Sequence, residues 1–311
     1  MKKLLVLFGL ILIGFIGFLV WWKNGAGPVN SADTTQKVFV IVPGAPIRGI
    51  GNDLKEQGLI RDPVIFFLHV KKNNLDKKIQ AGDYKLSPTM NLAEVIEQLT
   101  TGRMDVWVQV KEGVRAEEIA EILEEQLPNF DESWISVLKE NEGYLFPDTY
   151  LVPAQADVAM IISIMRGNFD TKTAEVGIIP TPQIVTLASL IERESRGNEE
   201  KPTIAGILTN RIRDGIPLQV DATIQYGKGN KNRWWPIIEV SDYQGFQSTY
   251  NTYLITGLPP GPISNPGIES LKAAANPAST PYYYYIHEPD GLVHYAKTVS
   301  EHNNNVNKYL R

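Results

Sequence analysis

The chain has 311 residues, 43% hydrophobic and 21% charged, a composition of folded domains rather than of disordered or collagen-like sequence. Thirty basic and 35 acidic side chains give a net charge of −5, which argues against a nucleic-acid partner, since that needs a basic face. Cysteine is absent, which excludes disulfides, thiol nucleophiles, iron–sulfur clusters and thiolate zinc sites, and His69, His287, His294 and His302 lack metal-ligand spacing.

Lys2 and Lys3 precede residues 4–22, a run without a charge. At 1.5 Å per residue such a run reaches roughly 28 Å, about the hydrocarbon core of a bilayer. It ends in Trp21-Trp22-Lys23 rather than in a small-residue cleavage site. The expectation is an uncleaved single-pass transmembrane helix over residues 1–23, with a cytoplasmic N-terminus, membrane localisation and the remainder outside the cytoplasm. The lack of cysteine suits that compartment.

Residues 24–37 are small and polar and read as a tether. Residues 38–104 read as a small α/β module. Val38-Phe39-Val40-Ile41-Val42 is a strand stopped by Pro43-Gly44, and Ile47, Ile50 and Leu54 give a helical stripe ending near Gly58. A second helix is expected over 63–70 and a strand over 82–86. Asn91-x-x-Glu94 caps an amphipathic helix that carries Val95, Ile96 and Leu99 and closes at Gly102.

The remainder, 105–311, reads as a mixed α+β region with its reactive core over 140–311. Its first strand, 106–110, alternates and reaches Gly113; the next helix carries Ile119, Ile122, Leu123 and Leu127. The acids of that helix, Glu117, Glu118, Glu121, Glu124 and Glu125, lie opposite its apolar residues and read as a solvated face. Residues 142–150 read as a proline-broken loop, followed by a helix over 157–169.

The segment after Thr181 is the most informative. Thr181 is a good N-cap, Pro182 suits the first turn, and Gly197 supplies a stop. At about 100° per residue, Ile184, Leu187, Leu190, Ile191 and Glu194 share about 120° of arc, which puts Glu194 on the apolar stripe. Glu192 falls about 200° away, so its substitution is expected to be mild. A carboxyl on a buried face near a helix C-terminus holds its proton more tightly, which suits a proton donor at neutral pH. The same position also suits a structural glutamate paired with Arg211 or Arg213, and the helical geometry leaves both readings open.

Residues 218–227 and 250–267 are rich in amides, hydroxyls and tyrosines within Pro/Gly-rich loops, a composition suited to a neutral polyhydroxylated ligand. Trp234-Trp235 and the tyrosines at 282–285 could stack on sugar faces, although strand alternation also predicts core packing for the latter.

Four motifs in order, E-G-Y-L-F-P-D-T-Y (142–150), L-A-S-L-I-E-R-E-S (187–195), L-Q-V-D-A-T-I-Q-Y-G (218–227) and Y-N-T-Y-L-I-T-G-L-P-P-G-P-I-S-N-P-G (250–267), closely resemble the MltG (YceG-like) endolytic murein transglycosylases. The resemblance implies a LysM-like module at 38–104 and a YceG-like catalytic region at 105–311. It implies an enzyme that cuts the β-1,4 bond between MurNAc and GlcNAc in peptidoglycan and leaves 1,6-anhydroMurNAc. The resemblance makes Glu194 the catalytic acid and carries Gln219, Asp221, Tyr226 and Asn251 over as cleft residues. It implies no cofactor and no metal, with peptidoglycan strands, the membrane and the cell-wall synthesis machinery as partners. Family members often carry proline where this chain has Ala222. The rival readings are a non-catalytic peptidoglycan-binding scaffold and a muramidase-type hydrolase.

Overall fold

A computed structural model describes residues 2–310, the side chains of 2–8, 10, 11, 103 and 104 lying outside the description. Helices and strands are mixed, and contacts divide the chain into two units. The first is Met1–Val108 with Gln126–Pro128 and Tyr150–Ala156; the second is Gln109–Glu125, Asn129–Thr149 and Asp157–Arg311.

The first unit begins with α1 (Lys2–Gly25). The transmembrane expectation is corrected here: among the described residues, no helix is long and apolar enough to cross a membrane. The side chains of the first part of the apolar run lie outside the described residues, and the last turns of α1 belong to the folded unit. The Trp21 indole, expected at a membrane interface, donates to Asp62 Oδ2 at 3.0 Å, and Trp22 packs on the core of this unit. Gly25 is buried so closely that an added Cβ would stand 2.3 Å from Ile65 Cδ1. The polar residues that follow run along the same unit, where Leu92 N–H donates to Ala26 O and Asn30 N–H to Pro88 O, both at 3.0 Å.

The rest of this unit is β1 (Lys37–Ile41), α2 (Ile47–Glu56), α3 (Pro63–Lys72), β2 (Gly82–Leu86), α4 (Leu92–Thr101), β3 (Arg103–Gln109) and β4 (Thr149–Pro153). The strands form one sheet in the order β1-β2-β3-β4, with β1 and β2 antiparallel and Phe39 opposite Tyr84. Alternation along β1 buries Phe39 and Ile41 against Leu54, Phe66, Tyr84 and Leu99, while Val38 and Val40 face outward. Asn91 accepts from Ala93 N and Glu94 N, and Glu94 accepts from Asn91 N, so the capping box forms as the sequence predicts. Strand β4 ends the segment read as a loop. Proline on both sides hid it, and an edge strand tolerates proline because its outer N–H groups need no partner.

The second unit is mostly helical: α5 (Ala116–Gln126), α6 (Trp134–Lys139), α7 (Val158–Glu175), α8 (Pro182–Glu194), α9 (Lys201–Arg213), α10 (Asp221–Lys228), α11 (Asp242–Gly245) and α12 (Ile268–Ala275). A hairpin of β5 (Tyr284–His287) and β6 (Val293–Ala296) follows, then α13 (Val299–Tyr309) packed on it. Helix α8 is the centre of the core. Val185, Leu187, Ala188, Leu190 and Ile191 are all buried, and α9, α10 and α12 pack around them. Gly206 of α9 lets the chain after α12 close on it, since a Cβ there would stand 2.2 Å from Ala278 O. Asn210 and Arg211 then hold the backbone at Thr280, Tyr282 and Tyr283, which fixes the start of β5.

The acidic face of α5 needs correction at its first turn. Glu117 is buried, with its oxygens bonded to Arg115 Nε at 2.7 Å and to Lys139 Nζ at 2.8 Å. Burial opposes its charge, but the bonds from Arg115 and Lys139 outweigh that and hold it down at about 2. The helical pattern missed this because the cation that buries Glu117 comes from the preceding turn, not from the helix.

Candidate active site

Helix α8 ends at the site. Thr181 Oγ1 accepts from Ile184 N, and the stop is Ser195 in extended backbone, its hydroxyl donating to Ile191 O at 2.8 Å. Gly197, expected as the stop, comes too late to form it. The last residue of α8, Glu194, lines a cleft of about 730 Å³ with Arg211, Gln219, Asp221, Tyr253 and Tyr285.

Glu194 Oε2 accepts from the Tyr285 hydroxyl at 2.6 Å. Burial pushes the carboxyl up to about 7. The Asp221 carboxylate adds to the rise, while the Tyr285 bond and the Ala222 backbone N–H favour the charged form. The structural pairings left open by helical geometry do not form. Arg213 bonds Asp214 at 2.8 Å, and Arg211 sends Nε to Tyr283 O at 2.7 Å and Nη1 to Leu218 O at 2.8 Å. Glu194 is thus a proton-holding carboxyl open to a cleft and oriented by one phenol. Tyr285→Phe is expected to remove a bond that favours the charged form. Any activity that needs protonated Glu194 should then persist to higher pH, by roughly one pH unit, in a pH–rate profile.

Of the other expected residues, two share this cleft. Gln219 is held with φ of 55°, a left-handed backbone unusual for a residue with a Cβ, by its N–H bond to Thr252 O at 3.1 Å. Strain of that kind gathers at functional sites. Asp221 opens α10 and its Oδ1 accepts from Tyr253 OH at 2.6 Å, while Tyr253 stacks on Tyr243 with ring centroids 4.3 Å apart. Asn251 and Tyr226 are placed elsewhere. Asn251 is fully buried and its amide donates to Phe246 O at 2.8 Å, which shapes the loop carrying Tyr243 and Tyr253. Tyr226 lies under the Arg115 guanidinium, 4.2 Å from its ring, and its hydroxyl reaches Glu142 at 3.5 Å.

Glu142 is a second buried carboxyl. It accepts from Ala116 N and from Asn265 Nδ2, both at 3.0 Å, and burial pushes it up to about 8. It ties three loops together and does not line the cleft. Trp234 and Trp235, read as sugar platforms, are engaged by cations, with Arg115 over Trp234 at 5.0 Å and Arg193 over Trp235 at 3.8 Å.

Because α8 is enclosed, the side opposite Glu194 is also interior. Glu192 Oε1 pairs with Lys201 Nζ at 3.3 Å, and Oε2 accepts from Gly267 N at 3.0 Å and Ser270 Oγ at 2.7 Å. Sequence reasoning missed Tyr285, Tyr253, Tyr243 and His302. The tyrosine run at 282–285 signalled Tyr285, ambiguously between core and cleft, and the composition of 250–267 covered Tyr253, whereas nothing signalled Tyr243 or His302.

A proton-holding carboxyl in a cleft of tyrosines, an amide and a second carboxylate is the arrangement of a proton-transfer site. Residues 39–308 match the YceG-like family, and the chain belongs to that family. It is 30% identical to the endolytic murein transglycosylase of Bacillus subtilis, over 94% of this chain and 90% of that protein. It is 26% identical to the endolytic murein transglycosylase of Streptococcus pneumoniae, over 90% of this chain and 59% of that protein. The crystal structure of a YceG-like protein from Listeria monocytogenes matches with a TM-score of 0.64 and 27% identity, over 86% of this chain and 98% of that one.

Proposed function

We propose that this protein is an endolytic murein transglycosylase, a lyase that cuts inside peptidoglycan glycan strands outside the cytoplasm. The observation that carries the reading is Glu194, buried enough to hold a proton to about pH 7, bonded to Tyr285 and paired with neither neighbouring arginine. The curated relatives' names support the substrate.

In this reading Glu194 gives its proton to the glycosidic oxygen of the departing GlcNAc as the bond from MurNAc C1 to that oxygen breaks. The resulting carboxylate takes the proton of the MurNAc C6 hydroxyl as that oxygen bonds to C1. The product is 1,6-anhydroMurNAc, Glu194 ends as it began, and no water is consumed. Positive charge develops at C1, and the Asp221 carboxylate in the same cleft favours it. Tyr253 holds Asp221, and Gln219 offers its amide to the strand. Asn251 and Tyr226 act through the scaffold. The first unit, whose β1-α2-α3-β2 order makes a βααβ module, is assigned to holding the strand.

One observation favours a second reading. Two carboxyls, Glu194 and Asp221, line one cleft, and a muramidase-type hydrolase uses such a pair. The product separates them. Mass analysis of muropeptides released from purified sacculi should find anhydro-muramic ends; reducing muramic ends would assign the hydrolase instead, and no release would remove both.

A further inference from the structure

Helix α13 supplies part of the cleft wall, through Val299 and His302. The His302 ring leans on Tyr284, with centroids 5.3 Å apart, and the Arg211 guanidinium lies over the same tyrosine at 4.8 Å. His302 Nδ1 is enclosed and meets no hydrogen-bond partner among the described residues. Burial and the nearby Arg211 charge both disfavour the imidazolium, so the ring is held neutral. A neutral imidazole has one N–H. An enclosed Nδ1 without an acceptor, in the positive field of Arg211, is better occupied by a lone pair than by an N–H. The proton therefore belongs on Nε2, the nitrogen left to the cleft.

The other donors around the cleft are largely committed to protein. Tyr285 gives its proton to Glu194 and Tyr253 gives its own to Asp221. Arg211 spends Nε and Nη1 on the carbonyls of Tyr283, Pro217 and Leu218. A glycan strand brings many acceptors, its ring, hydroxyl and acetamido oxygens, into a wall where the Gln219 amide is one of the few donors left free. We propose that His302 Nε2–H donates to an oxygen of the bound strand, which makes α13 part of the substrate site and His302 a positioning residue. This inference rests on the murein reading of the same cleft.

The test measures binding of purified, uncut glycan strands by calorimetry in the Glu194→Gln background, which separates binding from turnover. Four versions are compared: His302 intact, His302→Gln, His302→Phe and His302→Ala. Glutamine can place an amide N–H near the position of Nε2, whereas phenylalanine keeps the packing on Tyr284 and has no donor. Gln should bind within about threefold of His, and Phe and Ala should bind roughly 10–100-fold more weakly, the range for losing a hydrogen bond to a desolvated acceptor. Thermal midpoints of Gln and Phe should stay together, which shows that α13 remains docked. If Phe binds as tightly as His, the residue only packs and the inference falls. If Phe and Gln both lose binding equally, the nitrogen is not what the strand reads, and the inference falls as well. If the His302-intact protein binds no strands at all, the murein reading itself fails. That result is distinguishable because every version would then be silent.

Discussion

Glu194→Gln is expected to leave strand cleavage at least roughly 10²–10⁴-fold below wild type while the protein stays folded. Glutamine is nearly isosteric and can still accept from Tyr285, but it has no proton to give. Wild-type activity should fall as pH rises through about 7, because the first step needs the protonated acid and burial holds that proton only to about this value. Stability follows the same group with a definite sign. Folded Glu194 titrates near 7, against an ordinary value of 4.5, so its favourable contribution is complete below about 4.5 and is lost as pH rises through 7. Glutamine never ionises and loses nothing there. At pH 8 the variant should melt no lower than wild type, measured by scanning calorimetry. Near-normal turnover in Glu194→Gln would make the residue structural and move the search to Asp221.

Glu192→Gln, two residues away, should do the reverse: it should cost stability rather than chemistry. Its carboxylate is the partner of Lys201, and both side chains are less than a tenth exposed. Removing the charge leaves the buried Lys201 ammonium without its bonded carboxylate and with only Glu112 nearby, a change of the kind that costs roughly 3–5 kcal/mol. The amide still accepts from Ser270 or Gly267, which places the expected loss near the lower end of that range. The denaturant midpoint should drop clearly, and the fraction that remains folded should cut strands at a near-normal rate. An unchanged midpoint would mean that Lys201 finds water or another anion, and the account of α8 as an enclosed helix would be wrong. The pair of variants thus separates two acids on one helix end, one that supplies a proton and one that anchors α12.

These two glutamates also show how far the sequence could be read. Helical spacing placed Glu194 on an apolar face because that inference needs only the local 3.6-residue period. The fate of Glu192 depends on Lys201, Gly267 and Ser270, and no local pattern announces that another helix will cover the far side. The capping box at Asn91 and the turn at Gly58 were legible for the same reason: each is built from neighbours in sequence. Strand β4 and the Lys139 partner of Glu117 were not, because each is decided by contacts with distant segments. The Trp21-Trp22 pair misled in the same way. Its composition fits a bilayer interface, but the Trp21 indole N–H goes to Asp62, which lies 41 residues away. Within the cleft, Glu194, Gln219 and Asp221 could be picked out by motif, whereas Tyr285 and His302 become visible only once β5 and α13 are folded beside them.

The hydrogen bond between Glu194 and Tyr285 joins residues 91 positions apart, and the strand that carries Tyr285 is itself held by α9 and covered by α13. The environment of Glu194 is therefore the product of nearly the whole second unit rather than of its own motif. During synthesis the α8 segment leaves the ribosome with its acid already in the sequence, yet the phenol bonded to that acid follows only with β5. A chain halted anywhere before residue 285 would carry Glu194 without the phenol that aims it.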